Sequence, residues 1–171
     1  MKKVLYVLLA LVAVAVIAVF AISEKYHFEK TVVINAPVEE VYPHIASMKA
    51  FNEWNPWLKM DPNLKMDYTG TEGTVGDKYC WTSTDKNVGN GCQEITALVP
   101  NQKQSTKMAF EGMGDAYSDL ILTPQGGQTI VTWTLDSELE RPMNLMSLFM
   151  NSAMDKSYGE GLAKLKEICE K

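Results

Sequence analysis

Met143-Asn144-Leu145-Met146-Ser147-Leu148-Phe149-Met150-Asn151-Ser152-Ala153-Met154-Asp155-Lys156-Ser157-Tyr158-Gly159-Glu160-Gly161-Leu162-Ala163-Lys164-Leu165-Lys166-Glu167-Ile168-Cys169 is the stretch that decides the architecture. Met143, Met146, Met150, Met154, Tyr158, Leu162, Leu165 and Cys169 recur at steps of three or four. On a helix they form one continuous apolar stripe. The segment from Pro142 to Lys171 therefore reads as a single long amphipathic helix. Gly159 and Gly161 each cost about 1 kcal/mol inside a helix, so they mark either a close approach to a neighbouring surface or a bend.

What this helix covers lies upstream. Residues 64–69, 78–84, 91–99, 102–110, 116–123 and 129–139 are strand-like. Pro100-Asn101, Gly112-Met113-Gly114 and Pro124-Gln125-Gly126-Gly127 punctuate them. Gaps this short permit only hairpins, hence an antiparallel meander. Residues 28–34 read as a first strand. Ala36-Pro37 opens a helix, with Pro at its first position and Glu39 and Glu40 in the first turn. Pro43 falls too deep and ends or kinks it. Helical character resumes from Ala46 to Trp54, and Asn55-Pro56-Trp57 stops it. A sheet needs its apolar face covered, and the last helix is the available cover. The fold class is α+β.

The amino-terminal end is a separate matter. Val4 to Ile22 is a run of 19 residues without a charge, Pro, Gly or Asn. At 1.5 Å per residue it makes a helix of roughly 28 Å, close to the hydrocarbon thickness of a bilayer. It reads as an uncleaved transmembrane helix. A signal peptide has a shorter apolar core, of about 7–15 residues, and Val19-Phe20-Ala21 is a poor cleavage site. A core helix is rarely apolar on every face. The expected division is an anchor over residues 1–23 and one domain over residues 24–171. Lys2 and Lys3 precede the run, which predicts an N-terminus in the cytoplasm and a domain outside, periplasmic in a Gram-negative cell.

Of the 16 basic residues two precede the run, so the domain sets 14 against 21 acidic residues, a formal charge of −7. That argues against nucleic acid, whose binding requires Lys and Arg on phosphates. Cys80 and Cys92 flank a turn-rich stretch. A hairpin centred near Lys86 sets them opposite each other, where they either bridge in an oxidising compartment or remain two buried thiols. No Cys/His spacing suggests a metal: His27 and His44 are 17 residues apart. Gly70 to Gly76 is no phosphate loop, since no Lys-Ser/Thr follows, and reads as a sharp turn needing positive φ. Glu53, Glu111, Asp115, Glu138 and Arg141 are the candidate acids and bases. None has a spacing tied to a mechanism, and His44 suits a cap or surface role. No catalytic residue and no cofactor is assigned.

Several motifs together resemble a known family. Ile34-Asn35-Ala36-Pro37-Val38-Glu39-Glu40-Val41-Tyr42 matches the opening I-x-A-P-x-x-x-V-[WFY] of the START/Bet v 1-like (SRPBCC) superfamily, within its bacterial polyketide cyclase/dehydrase and lipid transport group. Phe51-Asn52-Glu53-Trp54-Asn55-Pro56-Trp57, Gly70…Gly76 leading to Tyr79-Cys80-Trp81, Thr129-Ile130-Val131-Thr132-Trp133 and Gly161-Leu162-Ala163-Lys164-Leu165-Lys166 follow in the order and spacing of that group. The resemblance runs from Glu29 to Glu170. It implies the helix-grip fold, a curved antiparallel sheet wrapped on the long C-terminal helix. It also implies a deep cavity between the two, used in the superfamily for lipids, sterols, polyketides and other apolar molecules.

Strand parity suggests the lining. Trp54, Trp57, Trp81, Met108, Phe110, Leu120 and Trp133 are expected walls, facing Met146, Met150 and Met154, with ordinary core packing as the alternative for each. Methionine suits a surface that adapts to varied apolar ligands. The functional expectation is a membrane-tethered, non-enzymatic binding domain for an apolar small molecule or lipid. The alternatives are an enzyme of the cyclase/dehydrase type and a protein-interaction module using the outer face of the sheet.

Overall fold

The computed structural model describes residues 2–85, 88–112 and 114–171. The hairpin centre expected at Lys86 lies outside the described residues. The chain opens with α1 (Lys2–Ala21), whose 20 residues extend about 30 Å. It is long and apolar enough to cross a membrane, and it is not buried against the rest of the protein. A core helix would be buried; this one is not.

β1 (Lys25–Ile34) follows, then two short helices, α2 (Val38–Val41) and α3 (Met48–Asn52). The strands are β2 (Lys65–Thr69), β3 (Lys78–Thr82), β4 (Gly91–Val99), β5 (Lys103–Phe110), β6 (Gly114–Gln125) and β7 (Gln128–Glu138), and α4 (Ser147–Cys169) ends the fold. The seven strands form one antiparallel sheet in the order β1-β7-β6-β5-β4-β3-β2. The first strand thus closes beside the last, paired from Lys25↔Glu138 to Ile34↔Thr129. Tyr26 and Ile34 point inward and are buried, while His27 and Glu29 face outward. A one-residue slip would reverse those faces, so the alternation holds the register. This is the expected helix-grip fold.

Two expectations need adjusting. The last helix begins later than Pro142: Met143–Met146 form a 3-10 turn and the α-helix starts at Ser147. Pro43 ends α2 as expected, but the chain continues through a 3-10 turn, Tyr42–His44, rather than a kinked helix.

The segment between β1 and β2 plugs one end of the sheet. Val41, Ile45, Met48, Phe51 and Trp54 are all buried there. Its polar groups are tied down. Ser47 accepts from the Ala50 amide (3.1 Å), and Trp54 Nε1 donates to the His44 carbonyl (2.9 Å). Gln104 Nε2 donates to the Ile45 carbonyl. Buried Asp77 accepts from the amides of Met48 (3.0 Å) and Gly73 (2.9 Å), joining α3 to the turn after β2. An unpaired carboxylate there would be costly; one with two amide donors is a clamp.

α4 packs chiefly on β1 and on the turn Pro56–Lys59. Tyr158, Leu162 and Leu165 are buried. Gly161 explains how the helix comes so close: a Cβ there would stand 2.9 Å from the Trp133 ring and 3.1 Å from Pro56. Of the two readings of these glycines, close approach holds at Gly161. Alanine would recover about 1 kcal/mol of helix propensity and lose a similar amount to the clash. Valine adds bulk without that gain. Gly161→Val is therefore expected to lower unfolding free energy by about 2 kcal/mol or more, and Gly161→Ala to stay within about 1 kcal/mol of wild type. Urea unfolding of the full chain in detergent micelles measures both.

Candidate functional site

The apolar stripe of α4 does two different jobs. Its C-terminal half, Tyr158, Leu162 and Leu165, is buried to 1 % exposure or less. Its N-terminal half, Met150 and Met154 with Met143 and Met146 before them, borders a cavity instead. That cavity measures about 1370 Å³ and lies between α4, the inner face of the sheet and the 57–64 segment. It exceeds the roughly 300–1,000 Å³ typical of small-molecule sites.

Trp133 separates packed core from cavity. It stacks on Tyr158 (ring centroids 4.0 Å, 30° between planes). Phe51, Trp54 and Trp57 meet it edge-on at 5.7, 5.1 and 5.5 Å. At the other end Trp81 meets Phe110 edge-on at 5.6 Å and lies tilted against Tyr79. Trp81 also rests on Gly91, where a Cβ would come within 2.5 Å of its ring. Any side chain at position 91 would push Trp81 off this wall. On the opposite face of the same strand pair, Cys80 and Cys92 stand directly across from each other and are joined, S–S 2.08 Å. Cys169 is free.

Of the residues expected on the walls, Trp57, Trp81, Met108, Phe110, Trp133, Met146, Met150 and Met154 border the cavity. Trp54 and Leu120 do not. Both are 2 % exposed within the packed core, Trp54 edge-on to Trp133 and Leu120 beside it in the sheet register. Sequence alone could not separate them from wall positions, because core and wall demand the same residue types. Asp115 and Glu138 lie on the cavity rim. Glu111 borders a smaller depression of about 430 Å³ over the disulfide. Arg141 pairs with Glu24 (2.7 Å), and Glu53 is exposed away from the cavity.

Sequence reading missed the polar lining. Tyr79 and Gln93, each 4 % exposed, face the cavity from β3 and β4. Asn55 donates to the Tyr79 hydroxyl (3.2 Å), which donates to Gln93 Oε1 (3.2 Å). Gln93 Nε2 donates to Thr106 Oγ1 (2.9 Å). Nearby, Trp133 Nε1 donates to Ser118 Oγ (2.9 Å), and Ser118 Oγ to the Thr134 carbonyl (2.7 Å). Tyr158 OH reaches the same carbonyl at 3.3 Å. Burial raises the Tyr79 and Tyr158 hydroxyls well above the ordinary phenol range, so both stay neutral donors. The signal for Tyr79 was present, since it shares a strand face with Trp81; Gln93 interrupts the apolar alternation and gave none.

The Lys, His, Asp and Glu side chains that border the cavity among the described residues, Lys25, His27, Asp115, Asp136, Glu138 and Glu140, come from the ends of β1, β6 and β7 and the residues just after β7. Buried Asp61 and Asp77 serve loops: Asp61 accepts from the Ser83 hydroxyl (2.6 Å) and the Asn63 amide (2.8 Å), which hold its carboxyl below the usual range. No group of three or more His, Cys, Asp or Glu residues able to hold a metal ion occurs among the described residues.

The family model described as polyketide cyclase / dehydrase and lipid transport matches residues 25–170, and the chain belongs to that family. Solved structures share the fold. Ara h 8.0201 is 13 % identical with a TM-score of 0.62, covering 86 % of this chain and 99 % of its own. A Nitrosospira multiformis protein is 20 % identical with a TM-score of 0.62, covering 83 % and 94 %. Norcoclaurine synthase from Thalictrum flavum, solved with dopamine and hydroxybenzaldehyde, is 9 % identical with a TM-score of 0.62, covering 82 % and 86 %. None of the curated proteins matches the sequence.

At the rim, His27 Nδ1 lies 2.7 Å from Asp136 and Nε2 3.8 Å from Glu29. The hydrogen bond to Asp136 is the main cause that raises the imidazole above its ordinary value of 6.5. A raised folded value means that the protonated pair stabilises the fold fully below pH 6.5 and is lost as pH rises through the folded value. Both side chains are more than half exposed, so the contribution is small. Imidazole NMR of the full chain should give a His27 midpoint above 6.5, falling back toward 6.5 in Asp136→Asn. An unchanged midpoint in the variant would discount the pair.

Proposed function

We propose that this protein is a single-pass membrane protein whose domain binds an apolar small molecule or lipid without chemical conversion. The observation that carries the reading is the cavity of about 1370 Å³ beside Trp133, walled by Trp57, Trp81, Met108, Phe110, Met150 and Met154. Its buried polar groups satisfy one another in the Tyr79–Gln93–Thr106 and Trp133–Ser118–Thr134 chains. Such a site rewards an apolar ligand and offers one or two neutral donors for orientation. General acid–base catalysis requires a positioned group of suitable pKa against the substrate; the cavity's Lys, His, Asp and Glu side chains lie at its rim, and burial holds the Tyr79 and Tyr158 hydroxyls neutral. Membership of the polyketide cyclase / dehydrase and lipid transport family supports the apolar ligand class. The helix α1 supports tethering, with Lys2 and Lys3 favouring a cytoplasmic N-terminus and a domain outside.

The test is ligand recovery. Full-length protein, extracted in mild detergent, is purified and its bound molecules identified by mass spectrometry after solvent extraction. Wild type is expected to carry an apolar molecule in near-stoichiometric amount. Met108→Trp, which fills the cavity from β5, should lose most of it while keeping the wild-type circular dichroism. Wild type without ligand, or equal recovery from the variant, would contradict the proposal.

A further inference from the structure

The junction between α1 and the domain fixes where a membrane surface would lie. Asn144, wholly buried, donates Nδ2 to the carbonyls of Val19 (2.7 Å) and Ile22 (2.9 Å). Arg141 Nε donates to the Val19 carbonyl as well (3.2 Å), and its guanidinium sits 5.5 Å from the Phe20 ring centroid. These acceptors belong to the end of α1, where carbonyls lack helical partners. The segment between β7 and α4 is therefore bolted to the last turn of the apolar helix. A 20-residue helix just matches the hydrocarbon thickness, so its last turn lies at the membrane–water boundary when it spans.

What is bolted there is unusually apolar. Pro142 to Met154 contains no charged residue. Met143 is 45 % exposed, Met146 43 %, Leu148 62 % and Phe149 78 %. Elsewhere on the domain exposed large apolar side chains such as Val33, Val75, Val99 and Tyr117 are scattered along the chain; here four fall within seven residues. Arg141 at the edge can keep its charge among headgroups while its stem lies along the apolar surface. Met143 and Met146 also border the cavity, together with Leu139 and Glu140.

We propose that residues 142–149 lie in the membrane–water boundary, with Leu148 and Phe149 among the acyl chains, so that the cavity mouth opens onto the bilayer. The proposal rests on the anchor reading of α1 and deepens the ligand reading: the cavity exchanges its ligand with the lipid phase, and the ligand class is a bilayer-resident amphiphile. A second copy of the chain is the rival occupant of this patch. The lipid is favoured because the patch is held to the helix end itself.

The test uses the full chain in nanodiscs of phosphatidylcholine and phosphatidylglycerol. An environment-sensitive fluorophore is placed by Phe149→Cys, Val12→Cys or Asp67→Cys, each in a Cys169→Ser background, with nitroxide lipids labelled either near the headgroup or at the chain end. Asp67 is exposed on β2, the far edge of the sheet. The position-149 label should lose roughly half or more of its emission to the shallow nitroxide, as expected for an apolar face about 5–10 Å into the boundary. The position-12 label should be quenched by the deep nitroxide, and the position-67 label by neither. Quenching at 12 without quenching at 149 overturns the proposal and leaves the anchor standing. A blue-shifted but unquenched label at 149 assigns the patch to protein and overturns it likewise. No quenching at 12 removes the anchor and this inference with it.

Discussion

The stacked contact between Trp133 and Tyr158, 4.0 Å between ring centroids, is the interaction on which the rest of the structure depends. It joins β7 to α4 at the centre of the molecule. Gly161, one turn on, removes the side chain that would hold the helix away. Phe51, Trp54 and Trp57 then close edge-on around the same indole, bringing the segment after β1 into register with sheet and helix. Aromatic pairs of this kind contribute about 0.5–1.5 kcal/mol each beyond their buried area. The indole nitrogen is satisfied by Ser118, which is itself satisfied by Thr134, so the hub carries no unpaired polar atom.

α4 packs tightly on the sheet at one end, while its other end, held to β1 by the Tyr26–Asn151 and Lys30–Asp155 contacts, borders open volume. Below Trp133 the stripe is packed; beyond it Met150 and Met154 look across empty volume at Trp81, Met108 and Phe110. Leaving apolar surface unpacked forfeits dispersion and burial free energy. Methionine lessens the loss because its flexible side chain adapts to whatever occupies the space. The disulfide between Cys80 and Cys92 and the ring of Trp81 on Gly91 hold the far wall. The cavity is thus a consequence of where the helix is fastened.

Much of the fold was legible in the sequence. The three-and-four spacing of Met143 to Cys169 announces the grip helix, and the short gaps between strands force the meander. What the stripe conceals is its division of labour, since Tyr158 and Met154 carry the same hydrophobic signal whether packed or facing a cavity. Leu120 and Trp54 carry that same signal and pack in the core. The polar lining was harder still: Tyr79 follows strand parity, but Gln93 is a buried amide whose partners, Tyr79 and Thr106, come from two other strands. Hydrogen-bond partners so distant in the chain leave no local pattern. The seat of Asn144 on the end of α1 is likewise a contact across more than 100 residues, invisible to periodicity.

The central claim is that the interior beside Trp133 is an accessible apolar cavity while the interior behind it is solid. Methionine methyl groups report on both sides. Met108, Met150 and Met154 border the cavity, whereas Met48 is fully buried in the packed end. In a 13C-methyl methionine spectrum of the full-length protein, titration with a small aromatic hydrocarbon such as naphthalene should shift Met108, Met150 and Met154 together and saturably, leaving Met48 in place. A titration that moves only exposed Met66, or that moves none, would contradict the account.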